Sequence, residues 1–209
     1  MSNIVLVKDL SFRYRNRKIV SGLSFELPMG KFLYIKGHNG AGKSTVLKLV
    51  CGLFKANSGE ISVFQKDPHE DPQVLRNAGV IVDGMGLYKD FSLHDNIILF
   101  AREKGLSKEK IANKLKILEK ETDINFSSKY KKSSHGMRKI AKLVLSMIND
   151  PELFILDEPE LALDEKRRAW LLSRLEAHKR NGKSAIIAGT NPNQFDGLLD
   201  DVLEMKVIM

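Results

Sequence analysis

The chain has 209 residues, enough for one domain with a small subdomain but not for two independent units. Hydrophobic residues make up 43%, which excludes wholesale disorder, yet no apolar run approaches the ~20 residues of a membrane-spanning helix. The net charge of +8 would attract nucleic acid, an anionic membrane surface or nucleotide phosphates alike and so selects no ligand, and Cys51, the only cysteine, excludes an internal disulfide and fits a reducing cytosol.

The first residues, Met1 to Lys8, lack the basic region, long apolar run and cleavage site of a signal peptide. Ile4 to Leu10 and Ile19 to Leu27 are apolar and β-branched and flank the polar turn Arg15-Asn-Arg-Lys, which predicts a β hairpin. Pro28-Met-Gly turns the chain into Phe32 to Ile35, an apolar run suited to a buried strand. A glycine-rich loop follows, then a predicted helix over Thr45 to Cys51 and a strand over Gly59 to Phe64. Val80 to Val82 is expected as a further buried strand.

Helical patterns then run over His94 to Lys104, Ser107 to Lys120 and Gly136 to Ile148. In the second, Ile111, Leu115 and Leu118 recur at helical spacing while lysines fill the other face. Asp150-Pro ends the third, and Leu153 to Leu156 is a short apolar strand. A helix over Asp164 to Arg180 stops at Asn181-Gly182, and strands over Ala185 to Ala188 and Val202 to Met205 close the chain. This order predicts an α/β domain carrying an early β hairpin and an inserted helical block.

Two stretches carry chemistry. The loop of Gly37, His38, Asn39, Gly40, Ala41, Gly42, Lys43, Ser44 and Thr45 matches G-x-x-x-x-G-K-[ST], the Walker A pattern, between an apolar strand and a helix. Glycines let successive N–H groups converge on phosphate oxygens, and the helix adds its positive N-terminal end. Lys43 is expected at the β and γ phosphates and Ser44 at a Mg²⁺ ion. The His38 side chain, at a variable loop position, is expected to face solvent. Leu153-Phe-Ile-Leu-Asp-Glu-Pro is an apolar strand ending in two carboxylates, a Walker B pattern. Asp157 is placed to hold Mg²⁺ and Glu158 to orient or deprotonate the attacking water. His94 is expected to begin a helix rather than bind a metal, since no second ligand stands at metal spacing.

In order and spacing these motifs resemble the ATPase domains of ABC transporters over essentially the whole chain. Leu156-Asp-Glu-Pro with Ala162-Leu-Asp164 resembles that family's Walker B and D-loop. Ser133-Ser-His-Gly-Met137 stands at the place of its L-S-G-G-Q signature, and Tyr14 at that of the aromatic that stacks on adenine. The resemblance implies a P-loop NTPase (RecA-like) core with an N-terminal antiparallel β subdomain and a helical subdomain over about 90–148, all within one ABC ATPase domain spanning 1–209. It also implies a head-to-tail dimer in which Ser134 and Gly136 of one copy, with Asp164 beside them, complete the ATP site of the other.

Four positions depart from the family pattern. Asp83 stands where a glutamine bridges Mg²⁺ and the transmembrane partner. Asn191 stands where a histidine contacts the γ-phosphate, and an amide can donate to phosphate but carries no proton or positive charge. His135 and Met137 replace a glycine and a glutamine of the signature. With Lys43, Asp157 and Glu158 retained, the expectation is ATP binding with slow hydrolysis.

The resemblance therefore implies the ATP-binding subunit of a transporter, peripheral at the cytoplasmic face of the membrane. Its implied partners are a separate transmembrane permease and a second ATPase copy, identical or related. A non-transport ABC ATPase acting on nucleic acid or ribosomes is the competing expectation. The chain has no long insertion between Lys43 and Ser134 and no second ATPase motif set, so no nucleic acid is expected. A hydrolysis-impaired regulatory half-site is a further alternative, whereas a P-loop kinase or GTPase conflicts with the paired Asp157-Glu158.

Overall fold

The computed structural model describes residues 2–208. β1 (Asn3–Tyr14) and β2 (Arg17–Pro28) form the hairpin, turning tightly between paired Tyr14 and Arg17 through Arg15 at φ 50. β4 (Ser58–Val63) joins on the other side of β1, giving an antiparallel sheet of order β2-β1-β4. Both hairpin strands run several residues beyond their apolar centres, because ladder hydrogen bonds carry the polar ends as well.

β3 (Phe32–Lys36), β5 (Ala78–Ile81), β6 (Leu153–Asp157), β7 (Ser184–Gly189) and β8 (Asp201–Glu204) form a parallel sheet of order β5-β6-β7-β3-β8. The three central strands, β6, β7 and β3, are nearly or wholly buried, as a sheet covered on both faces requires. Alternate residues divide between two cores. Phe32, Tyr34, Phe154, Leu156, Ala185 and Ile187 face the helical side with α5 (Glu165–Arg180). Leu33, Ile35, Leu153, Ile155, Ile186 and Ala188 face α1 (Lys43–Val50) and the antiparallel sheet. Period-two alternation thus joins the subdomains through a single shared sheet.

The inserted block holds α2 (Leu93–Glu103), α3 (Lys108–Thr122) and α4 (His135–Met147). Ser92, Ser107 and Ser134 each cap a helix by accepting an N–H from three residues on. Ile111, Leu115 and Leu118 all turn into the core, as their spacing predicts. The fold is the expected α/β P-loop NTPase core with its antiparallel subdomain and helical insertion. No helix among the described residues is long and apolar enough to cross a membrane. The sequence pattern missed three short 3-10 segments, Pro72–Asn77, Tyr130–Lys132 and Pro192–Phe195, which are too brief to show a period.

Candidate active site

The loop after β3 curls back on itself. Gly40 and Gly42 take φ 83 and 95, a left-handed conformation that other residues resist. A Cβ on Gly42 would also stand 2.9 Å from Cγ2 of Ile19 in β2. Lys43 is only 5% exposed, and its ammonium lies over the loop, donating to the carbonyls of Gly37 at 2.9 Å and His38 at 3.2 Å. A buried ammonium whose hydrogen bonds go to neutral carbonyls is a centre of positive charge facing the cleft beside it. His38 is exposed, as expected.

β6 brings the carboxylates to this loop. Glu158 sits just past the strand at φ 45, anchored by its N–H on the Ala188 carbonyl at 2.8 Å, with Oε1 3.9 Å from Lys43 Nζ. A cleft of about 310 Å³ opens here, lined by Asn39, Gly40, Gly42 to Thr45 and Glu158, with Arg17 and Ile19 of the hairpin at one side. Tyr14, paired with Arg17, ends β1, stands edge-on to Phe12 and Phe54, and is 42% exposed as a residue. Tyr14 does not itself line the cleft, but its cross-strand partner Arg17 does, and an exposed aromatic ring there is suited to stacking on a planar base.

Asp157 is buried and its two oxygens differ. Oδ2 accepts the Asp83 N–H at 3.3 Å, while Oδ1 has no partner among the described residues. An unpartnered buried carboxylate oxygen is costly unless a cation completes it, so the donor set suits a hard divalent ion shared with phosphate oxygens and the Ser44 hydroxyl. No group of three or more His, Cys, Asp or Glu gathers among the described residues, so such an ion would depend on its nucleotide for the remaining ligands. Only the Asp83 main chain reaches Asp157; its side chain is exposed and paired with Lys48 at 3.4 Å.

The other expected residues lie elsewhere. Ser134 and His135 are exposed at the start of α4, and none of residues 133–137 lines the cleft. Gly136 packs against the turn before α5, where a Cβ would come 3.0 Å from the Ala162 carbonyl. Asp164 caps α5 through the Arg167 N–H at 2.9 Å and pairs with that arginine at 2.7 Å. The Asn191 side chain accepts the Asn193 N–H at 3.1 Å and so starts the segment Pro192–Phe195.

Three residues that sequence reasoning missed surround the carboxylates. Lys139 of α4 donates to the main-chain carbonyls of Asp157 at 3.2 Å and Glu158 at 2.5 Å. Burial draws its pKa down, against the upward pull of Glu160, Asp157 and Glu158. Glu160 is buried with Oε2 unpartnered, and burial raises its pKa. The Tyr34 hydroxyl is buried too, with no well-aligned partner among the described residues, and its pKa is raised by burial and then by Glu160 against a lowering contact with the Asn191 main chain. No local pattern marks these positions, because their neighbours come from distant parts of the chain.

Comparison with known proteins follows the same lines. The family model for ABC transporters matches residues 20–160. An ergothioneine transport ATP-binding protein of Helicobacter pylori (strain G27) is 27% identical over the full length of both chains. A Nod factor export ATP-binding protein of Burkholderia orbicola (strain AU 1054) is 30% identical over 92% of this chain, which spans 64% of that relative's length. A solved structure of an ATP-binding subunit of an ABC transporter matches with a TM-score of 0.88 at 28% identity, covering 97% of this chain and 85% of that one.

Proposed function

This chain belongs to the ABC transporter ATP-binding proteins, which are ATPases, and on that premise we propose that it powers a membrane transporter by closing as a dimer around ATP. The carrying observation is the approach of Lys43 Nζ to Glu158 Oε1, 3.9 Å apart at one cleft, which unites the phosphate loop with a carboxylate able to act on water. Adenine stacks on Tyr14, and the N–H groups from Gly37 to Thr45 hold the phosphates. Lys43 releases its loop carbonyls as it engages the β and γ oxygens. Ser44 and Asp157 would hold Mg²⁺, which would neutralise phosphate charge, and Asp83 would join that set only by leaving Lys48.

A second copy supplies Ser134 and Gly136, since the exposed start of α4 lies outside the cleft of its own chain. Asp164 fixes the turn that packs on Gly136. The membrane partner is a separate permease. An apolar groove of about 310 Å³ beside the Asp83–Phe91 segment, lined by Leu53, Leu75, Val80, Met85, Phe100 and Leu145, suits one of its helices. On this reading the chain works at the inner face of the cell membrane. Hydrolysis is slow, because Asp83 is tied to Lys48 and Asn191 brings no transferable proton to the γ-phosphate.

Steady-state turnover of ATP by the full chain, with the membrane proteins that copurify with it, tests this reading. Glu158→Gln is expected to bind ATP without turning it over, and Lys43→Ala to lose affinity for it. Wild-type turnover equal to that of Glu158→Gln would exclude hydrolysis. Replacing Asp83→Gln and Asn191→His together is expected to raise kcat about tenfold. No rise would remove those two residues as the cause of slowness, and ribosomes or DNA-repair proteins in place of a multi-spanning protein would refute the transport role.

A further inference from the structure

Glu158 holds a left-handed backbone, φ 45, which a non-glycine residue keeps only when its surroundings fix it. Its N–H is held by β7, through the Ala188 carbonyl at 2.8 Å. The carbonyls of the two peptide units flanking its Cα, those of Asp157 and Glu158, are both held by the ammonium of Lys139, at 3.2 and 2.5 Å. A lysine with three donors can grip two carbonyls from one point, which no apolar side chain at this position could do.

Burying most of an ammonium carries a desolvation cost, and here the carboxylates of Glu160, Asp157 and Glu158 offset part of it. Neighbouring Ile140, Leu143 and Val144 already supply the apolar contacts that dock α4 on the core. Lys139 is therefore not needed as packing material. What it adds is a fixed link between α4 and the backbone that aims Glu158.

We propose that Lys139 is a positioning residue for hydrolysis, clamping the main chain on both sides of Glu158 so that its carboxylate stays directed at the cleft it shares with Lys43. This rests on the ATPase reading above and extends it. The clamp sits five residues along α4 from Ser134, the residue assigned to the ATP of the second copy. The helix then acts as a rigid strut, joining the γ-phosphate contact of one site to the catalytic carboxylate of the other.

The experiment compares kcat and MgATP affinity in the full chain and three variants. Lys139→Met is expected to lower kcat about tenfold while leaving affinity within about twofold, because nucleotide binding does not need an aimed carboxylate. Lys139→Arg, which can also span two carbonyls, is expected to recover most of the rate. Lys139→Gln, shorter but polar, serves if the methionine variant does not fold, with the same expected split. A kcat for both Lys139→Met and Lys139→Gln within twofold of wild type overturns the proposal. So does a joint fall in rate and affinity that Lys139→Arg fails to rescue, since that marks a purely structural role. Wild-type turnover no greater than that of Glu158→Gln defeats the ATPase reading itself and is read separately.

Discussion

Tyr34 is wholly buried, and its hydroxyl finds no well-aligned partner among the described residues. It is accommodated because residue 189, the last of β7, is a glycine. A Cβ there would stand 2.3 Å from the Tyr34 hydroxyl and 3.2 Å from the ring carbon bearing it. Two positions 155 residues apart are thus coupled by volume. Gly189→Ala is expected to destabilise the fold by about 1–3 kcal/mol through overpacking. Tyr34→Phe alone is expected to be neutral or slightly stabilising, because it removes an unpaired buried hydroxyl. In the double variant the worst clash is gone, so denaturant titration should find the Gly189→Ala cost reduced. Strict additivity of the two changes would refute the contact. Nothing in the local sequence around either residue announces the pair, whereas Lys43 and Glu158 stand in motifs whose chemistry is legible without a fold.

The Asp83–Phe91 segment crosses from the nucleotide side of the molecule to the helical block with little secondary structure of its own. Asn96 of α2 holds it. Fully buried, this side chain accepts the Tyr88 N–H at 2.6 Å and donates to the carbonyls of Tyr88 at 3.0 Å and Ser92 at 2.8 Å. Asn96→Ala would strand the buried Tyr88 N–H and leave the carbonyls of Tyr88 and Ser92 with only the main-chain N–H groups of Phe91 and Asn96, and is expected to cost about 1–3 kcal/mol. It should also speed amide exchange across the segment while leaving the phosphate loop protected, and unchanged exchange there would refute the tether. The helix itself was legible from its period, but Asn96 within it was not, since one polar residue on an apolar face reveals nothing of its partners. Element edges moved for a related reason. β5 starts at Ala78 rather than Val80 because pairing of Ala78 with Leu153 and Gly79 with Phe154 extends the ladder past the most hydrophobic residues. The helices capped by Ser92, Ser107 and Ser134 begin within one residue of where their patterns predict.

At the scale of the whole molecule, the cleft and the exposed start of α4 belong to one chain but not to one site. The proposed assembly brings them together from two copies, and Ser134 offers a way to test this without harming the fold. Ser134 caps α4 through the Met137 N–H at 3.2 Å, so replacing it with alanine would confuse a lost cap with a lost interface. Aspartate caps a helix as well as serine does, yet places a negative charge where the γ-phosphate would dock. In a Glu158→Gln background, which retains ATP, the chain is expected to elute at twice its monomer mass when ATP is added. Adding Ser134→Asp should return it to monomer, with the thermal midpoint of the free chain and the ATP affinity of its own cleft unchanged. Those two constants separate an interface effect from unfolding and from damage to the phosphate loop, whose residues are far along the chain and untouched. A dimer that persists with Ser134→Asp would place the second copy's contact somewhere other than the start of α4. Sequence order alone could suggest such a composite site only through family resemblance. The physical argument became available once the fold put Ser134 in solvent while closing Lys43 and Glu158 around a cleft it does not enter.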